Sequence, residues 1–257
     1  MFDRNTPAEG IVAGKNSVIE LLKSDNSIDK VFMQKELTKA GIMLKIKAMA
    51  KEKGVPVKEV SSEKLSELCG NLNHQGVAAM GAACNFVDLE DLFNLAEERQ
   101  QKPYFILCDD IEDPHNLGAI IRTADATGAH GVIIPKRHGA GMTASVMRSS
   151  AGAANHVLIA RVANLASAID EMKERNVWIY AADMDGQSWC RTNFDGGVCL
   201  VIGSEGKGVG RLIKEKCDVV VSLPMCGKVN SLNASVAGGI LMYEIARQRL
   251  GLKSFQK

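Results

Sequence analysis

Across residues 103–250, short and almost wholly apolar runs alternate with stretches in which apolar positions recur every three or four residues. The runs at 104–108, 131–135, 157–162, 178–184, 200–202 and 219–223 have the make-up of strands buried on both faces. The stretches at 116–128, 144–154, 165–175 and 232–250 read as helices. Strands and helices in strict alternation predict an α/β fold, a mostly parallel sheet with helices on both of its faces.

Residues 10–84 carry a denser pattern of their own. Asn16 offers an N-cap for a helix running through Leu22, and 30–34 reads as a strand. A helix at 37–53 stops at Gly54, a strand with period-two alternation follows at 56–60, a helix at 62–68, and a buried strand at 76–80. This predicts a small separate α/β domain, 1–84. The charged, helical run within 85–102 reads as a linker, which leaves 103–257 as the second domain.

Composition narrows the class. The chain has 257 residues, 46% hydrophobic and 24% charged, which suits a globular protein. No run approaches the ~18 apolar residues of a membrane span, and the N-terminus has no apolar signal core, so the expectation is a cytoplasmic protein with no membrane partner. Seven cysteines, an odd number without a Cys-x-x-Cys pair, read as buried free thiols. The five histidines form no ligand cluster, and no structural metal is expected. With 31 basic and 30 acidic residues the net charge is +1, so a nucleic-acid partner would require positive charge gathered locally.

The candidate chemistry lies after the strands, where open α/β sheets bind ligands. The loop Gly203-Ser204-Glu205-Gly206-Lys207-Gly208 fails the register of a phosphate-binding P-loop; Gly206 and Gly208 suit the dinucleotide fingerprint, but its sixth position is Arg211 and the third glycine falls at Gly210. A tight glycine turn into a helix is the bland alternative. The loop 109–116 holds four carboxylates, so a polar connection, a divalent-metal site and an acid/base site all stand; Pro114 forces an extended turn, and Asn116 is placed to cap the helix after it. Arg122, among apolar neighbours, either snorkels to solvent or grips a phosphate. Neither Ser231 nor Ser235 has a His–Asp partnership, which argues against a hydrolytic triad.

Three ordered motifs carry a specific resemblance: Asn116-x-Gly118-x-x-x-Arg122, then Gly203-Ser204-Glu205-Gly206-x-Gly208, then Leu223-Pro224-Met225 with Val229-Asn230-Ser231-Leu232-Asn233-Ala234-Ser235. Together they resemble the SpoU (TrmH-like) RNA ribose 2′-O-methyltransferases of the SPOUT superfamily. The likeness covers about 103–250 and, more weakly, the N-terminal domain, which resembles the small L30-like substrate-binding domain.

The resemblance implies S-adenosylmethionine as cofactor, a C-terminal trefoil knot and a homodimer through the C-terminal domain. It implies catalytic roles for Asn116, Arg122, Glu205, Ser231 and Asn233. Cofactor binding falls to Gly203, Ser204, Gly206, Leu223, Met225, Ser231 and Leu232. RNA contacts fall to Asn73, His74 and Gln75, with an exposed turn as the alternative, and to Arg148, Ser149 and Ser150, with plain helix positions as the alternative. The N-terminal domain resembles most the branch that methylates a guanosine of 23S ribosomal RNA; tRNA is the nearest other substrate. A non-catalytic RNA-binding or ribosome-assembly protein of the same fold, and a phosphotransferase using the glycine loop, are the rival classes.

Overall fold

The computed structural model describes residues 7–8, 10–23, 28–38, 41–81 and 85–252. The chain divides into two units, 1–85 with 141–144 and 86–140 with 145–257.

In the first unit the elements are β1 (Ile11–Ala13), α1 (Lys15–Lys23), β2 (Ile28–Gln34), α2 (Gly41–Glu52), β3 (Val57–Val60), α3 (Ser62–Cys69) and β4 (Val77–Gly81). The sheet order is β1-β4-β2-β3, with β2 and β3 parallel and the other pairs antiparallel. Val18, Leu22, Val31, Met33, Met43 and Ile46 fill one face, and Phe32, Leu65 and Ala78 the other. Ser61 caps α3 by accepting the Lys64 N–H. Strand β1, only three residues long, was not expected.

The second unit begins earlier than the sequence pattern suggests. Residues 85–102 are not a linker. They form α4 (Leu89–Glu98), whose Leu89, Leu92, Phe93 and Ala96 enter the core, and Val87 bridges to Ala160. The charges of this segment occupy its outer face, so an apolar stripe at i, i+3, i+4, i+7 was hidden in a charged run.

The remaining elements are β5 (Tyr104–Cys108), α5 (Pro114–Ala126), β6 (Gly131–Pro135), α6 (Ala144–Ser149), β7 (Leu158–Val162), α7 (Leu165–Glu174), β8 (Val177–Ser188), β9 (Gly197–Ile202), α8 (Arg211–Lys216), β10 (Val219–Ser222) and α9 (Ala234–Arg249). All six strands run parallel in the order β10-β8-β9-β5-β6-β7. In β5, Phe105 and Leu107 join one core face while Tyr104, Ile106 and Cys108 are buried on the other; helices cover both, which is why the run is apolar throughout. Helix α6 ends at Ser149, not 154, because Ala151 and Gly152 take left-handed backbone (φ +50° and +90°).

Among the described cysteines, Cys69, Cys108 and Cys199 are buried, Cys217 is half-buried, and Cys190 and Cys226 are exposed, a correction for the last two; Cys84 lies outside the described residues. Burial pushes the Cys108 thiol up to about 12, with Asp109 adding to the effect.

Candidate active site

A parallel sheet delivers every loop that follows a strand to the same edge. Here that edge receives 109–113 from β5, 203–210 from β9 and 223–233 from β10.

The glycine loop is a tight reversal. Ser204 and Gly208 exchange backbone hydrogen bonds of 3.1 and 2.9 Å. A Cβ on Gly203 would overlap the Gly208 backbone, and Gly206 and Gly208 have φ of +84° and +67°. The loop is anchored from below. Buried Asp109 accepts the Gly210 N–H at 2.7 Å, at the start of α8. Burial raises the Asp109 carboxyl above its ordinary range, the Gly210 hydrogen bond opposes this, and Asp110 adds to the rise.

Helix α5 opens with Asp113 as its cap, accepting the His115 N–H at 2.9 Å, and Pro114 at its first position. The cap is therefore not Asn116, as expected from sequence. That frees the buried Asn116 amide, which donates to Glu205 Oε1 at 3.1 Å. Asn233 Nδ2 donates to Asn116 Oδ1 at 2.9 Å and also to Glu205 Oε1. Asn233 Oδ1 caps α9, accepting from Ser235 N–H at 2.9 Å and Val236 N–H at 3.3 Å. One side chain thus fixes the start of the last helix and joins the other two motifs, 117 and 28 residues away in the chain.

Glu205 and Asn233 line a cavity of about 640 Å³, within the range of small-molecule sites, and Asn116 is bonded to both of them. Gly203, Ser204, Gly206, Leu223, Met225, Ser231 and Leu232 all line it, with Ile202, Val221 and Leu241 as aliphatic wall. A smaller cavity of about 240 Å³ shares Ser204, Glu205 and Lys207 with the first and is bordered by Asn116 and the carboxylates of Asp110, Glu112 and Asp113. Among the described residues no group of His, Cys, Asp and Glu is disposed to hold a metal ion.

Other predicted residues lie elsewhere. Arg122 lines neither cavity; it is exposed on α5 and makes no side-chain hydrogen bond or ion pair among the described residues. Six residues past Asn116 it points about 120° away around the helix. Ser149 donates to Pro114 O at 3.1 Å and packs where Gly118 leaves no room for a Cβ. Ser150 is 0% exposed and bonds Met147 O. Both serines are thus part of the α5–α6 packing. Arg148 is exposed. In the first unit, His74 Nδ1 accepts the Gly76 N–H at 3.0 Å, which leaves Nε2 to donate to Ser66 Oγ at 3.1 Å; Gln75 accepts the Lys15 N–H, and Asn73 is exposed.

Residues 103–243 match the SpoU rRNA methylase family, and residues 11–86 match the substrate-binding domain of RNA 2′-O ribose methyltransferases. The chain belongs to the SpoU rRNA methylase family. It is an RNA methyltransferase with a substrate-binding module at its front. It is 50% identical over 240 residues to YacO of Bacillus subtilis, assigned to the TrmH family of tRNA/rRNA methyltransferases, covering 93% of this chain and 95% of that one. Its fold is similar to the SpoU methyltransferase AviRb of Streptomyces viridochromogenes, solved with AdoMet, at TM-score 0.60, 25% identity and 95% and 91% coverage. An AdoMet-bound rRNA methyltransferase of Sinorhizobium meliloti gives TM-score 0.57, 25% identity and 95% and 88% coverage.

Proposed function

We propose that this methyltransferase uses S-adenosylmethionine to methylate a ribose 2′-hydroxyl, that the acceptor is a guanosine of 23S ribosomal RNA, and that the working form is a homodimer. The observation that carries the reading is the hydrogen-bonded union of Asn116, Glu205 and Asn233 at the mouth of a cavity lined by all seven residues expected to hold the donor.

The lining suits that donor. Main-chain groups of the glycine loop and of 223–232 can hydrogen-bond an adenine, and Ile202, Val221 and Leu241 give it an apolar wall. S-adenosylmethionine supplies an activated methyl group, so the protein's task is alignment and help in removing the hydroxyl proton. Asn116 and Asn233 are held rigidly enough to orient a ribose, and Glu205 is exposed beside them to accept its hydroxyl hydrogen bonds.

Support for the dimer comes from α9. Val236, Ile240 and Tyr243 are 51%, 38% and 59% exposed and fall at i, i+4, i+7 on one face. Helix α9 packs on α5, close enough that Thr123 lies beside Gly239. A second copy seated on this stripe would bring its own Arg122 towards the cavity that one chain leaves without a guanidinium. An arginine is too weak an acid to serve readily as base, so anchoring the acceptor's phosphate is the role assigned to it. The trefoil knot implied by the resemblance belongs to the same proposal.

The test is transfer of tritium from methyl-labelled S-adenosylmethionine to deproteinised 23S rRNA and, separately, to tRNA, with the modified position mapped. Label at one 23S guanosine is the expected result; label in tRNA alone moves the substrate. No label in either, with no thermal stabilisation by S-adenosylhomocysteine, would sink the reading; at ~100 times its Kd a bound ligand stabilises by about 2.7 kcal/mol.

A further inference from the structure

The near-neutral chain leaves open where an RNA backbone would find positive charge. In the second unit most cations are already neutralised or used as donors. Lys102 pairs with Asp195, Lys173 with Asp218, Arg175 with Glu90, Lys214 with Asp183, Lys216 with Asp170 and Arg247 with Glu244.

The exceptions are not scattered evenly. Lys136 and Arg137, in the loop after β6, Lys207 in the loop after β9 and Lys228 in the loop after β10 have no side-chain hydrogen bond or ion pair among the described residues. All three loops leave the same sheet edge as the candidate active site. Outside that edge the side chains of Arg99, Arg122 and Arg191 also have no hydrogen-bond or ion-pair partner among the described residues.

The Lys136–Arg137 loop is fixed rather than loose. The Lys136 N–H donates to Val162 O at 2.8 Å, and the Ala140 N–H donates to Ile111 O at 2.7 Å, inside the loop that leads to Asn116. The loop is therefore pinned at both ends, its far end against the backbone of Ile111, which lines the second cavity. An arginine next to a lysine, neither with a side-chain partner among the described residues, is suited to phosphate, for which a guanidinium has matching donors.

We propose that Lys136 and Arg137 form an RNA phosphate-binding rim on the catalytic unit, continued by Lys207 and Lys228. It positions the strand that carries the target ribose, independently of the substrate-binding domain at 11–86. The inference rests on the RNA methyltransferase reading above. It also makes a basic domain unnecessary, because the charge is concentrated by leaving these cations unpaired at one edge.

The test is the full-length double variant Lys136→Gln/Arg137→Gln, titrated with 23S rRNA fragments at several salt concentrations. Two lost phosphate contacts should lower the slope of log Kd against log salt by roughly 1.5, raise KM for RNA and leave kcat and the S-adenosylhomocysteine shift of Tm unchanged. The charge-keeping pair Lys136→Arg/Arg137→Lys should restore the slope. Lys102→Ala, which removes a paired lysine before β5, should not change it. An unchanged slope and KM in the double variant overturn the rim while leaving the methyltransferase reading intact. A wild-type protein that binds no RNA would overturn both.

Discussion

The two edges of the six-stranded sheet are built in opposite ways. At the edge where the strands begin, polar groups are consumed in holding the chain. Arg249 donates to the carbonyls of Lys102, Pro103 and Gly196 at 2.8–3.0 Å and lies 4.9 Å from the Tyr104 ring. His130 accepts the Tyr104 N–H and meets Gln101, both at 3.0 Å; Asp218 accepts the Ile179 N–H at 2.8 Å. At the edge where the strands end, polar groups are held in place but left facing outward: Glu205 and Asn233 are exposed, and the side chains of Lys136 and Arg137 have no partner among the described residues. One edge closes the fold, and the other presents chemistry that a substrate has to complete. Substitutions at the first should therefore cost stability, and at the second activity.

The sharpest stability effect is expected for Arg249→Ala. It strands three carbonyls near the β5 and β9 starts and should lower unfolding free energy by about 4 kcal/mol, read by urea denaturation, with kcat per folded molecule unchanged. An equal loss of kcat would erase the contrast between the edges.

Acid should act through the same edge. Burial, reinforced by Arg249 and Arg99, lowers His130 to about 4 from 6.5, while its ring nitrogen accepts a backbone N–H. The unfolded chain binds that proton first, so this contribution to stability is whole above pH ~6.5 and falls away towards pH ~4, by about 3 kcal/mol in all. Urea midpoints measured across this range should sag in the wild type and much less in His130→Asn.

At the other edge Asn116→Ala should reduce kcat about 100-fold, near 2.7 kcal/mol, as expected for loss of one preorganised donor. Stability and S-adenosylhomocysteine binding should hold. A smaller effect belongs to Asp109. Asp109→Ala releases Gly210 and should raise KM for the methyl donor about tenfold, near 1.4 kcal/mol, with kcat little altered and Asp109→Asn restoring most of it. A fall in kcat alone would mean that the glycine loop is not positioned from Asp109.

The fold was legible where one principle acts alone. Apolar runs such as 104–108 gave the buried strands, and Gly54 sits just past the end of a helix. It was obscured where two signals overlap. In 89–98 surface charge masked a core stripe, and at 114 the proline should have moved the helix start ahead of Asn116. Three-residue β1 is too short for any periodicity. The site residues Asn116, Glu205 and Asn233 could be named from their motifs, but their mutual hydrogen bonds span 89 and 117 positions and depend on which strands neighbour each other. Lys136 and Arg137 carry no signal in the sequence, because a basic pair after a strand looks like any solvated turn; only the absence of a side-chain partner among the described residues marks them.

Central to the account is an acceptor site completed by a guanidinium from a second copy of the chain. Asn116→Ala and Arg122→Ala, each nearly inactive alone, can be mixed after subunit exchange and assayed for methyl transfer. Random pairing makes half of the dimers mixed, each with one intact site, so activity should return to about a quarter of wild type. A mixture no more active than the average of the two variants would contradict it.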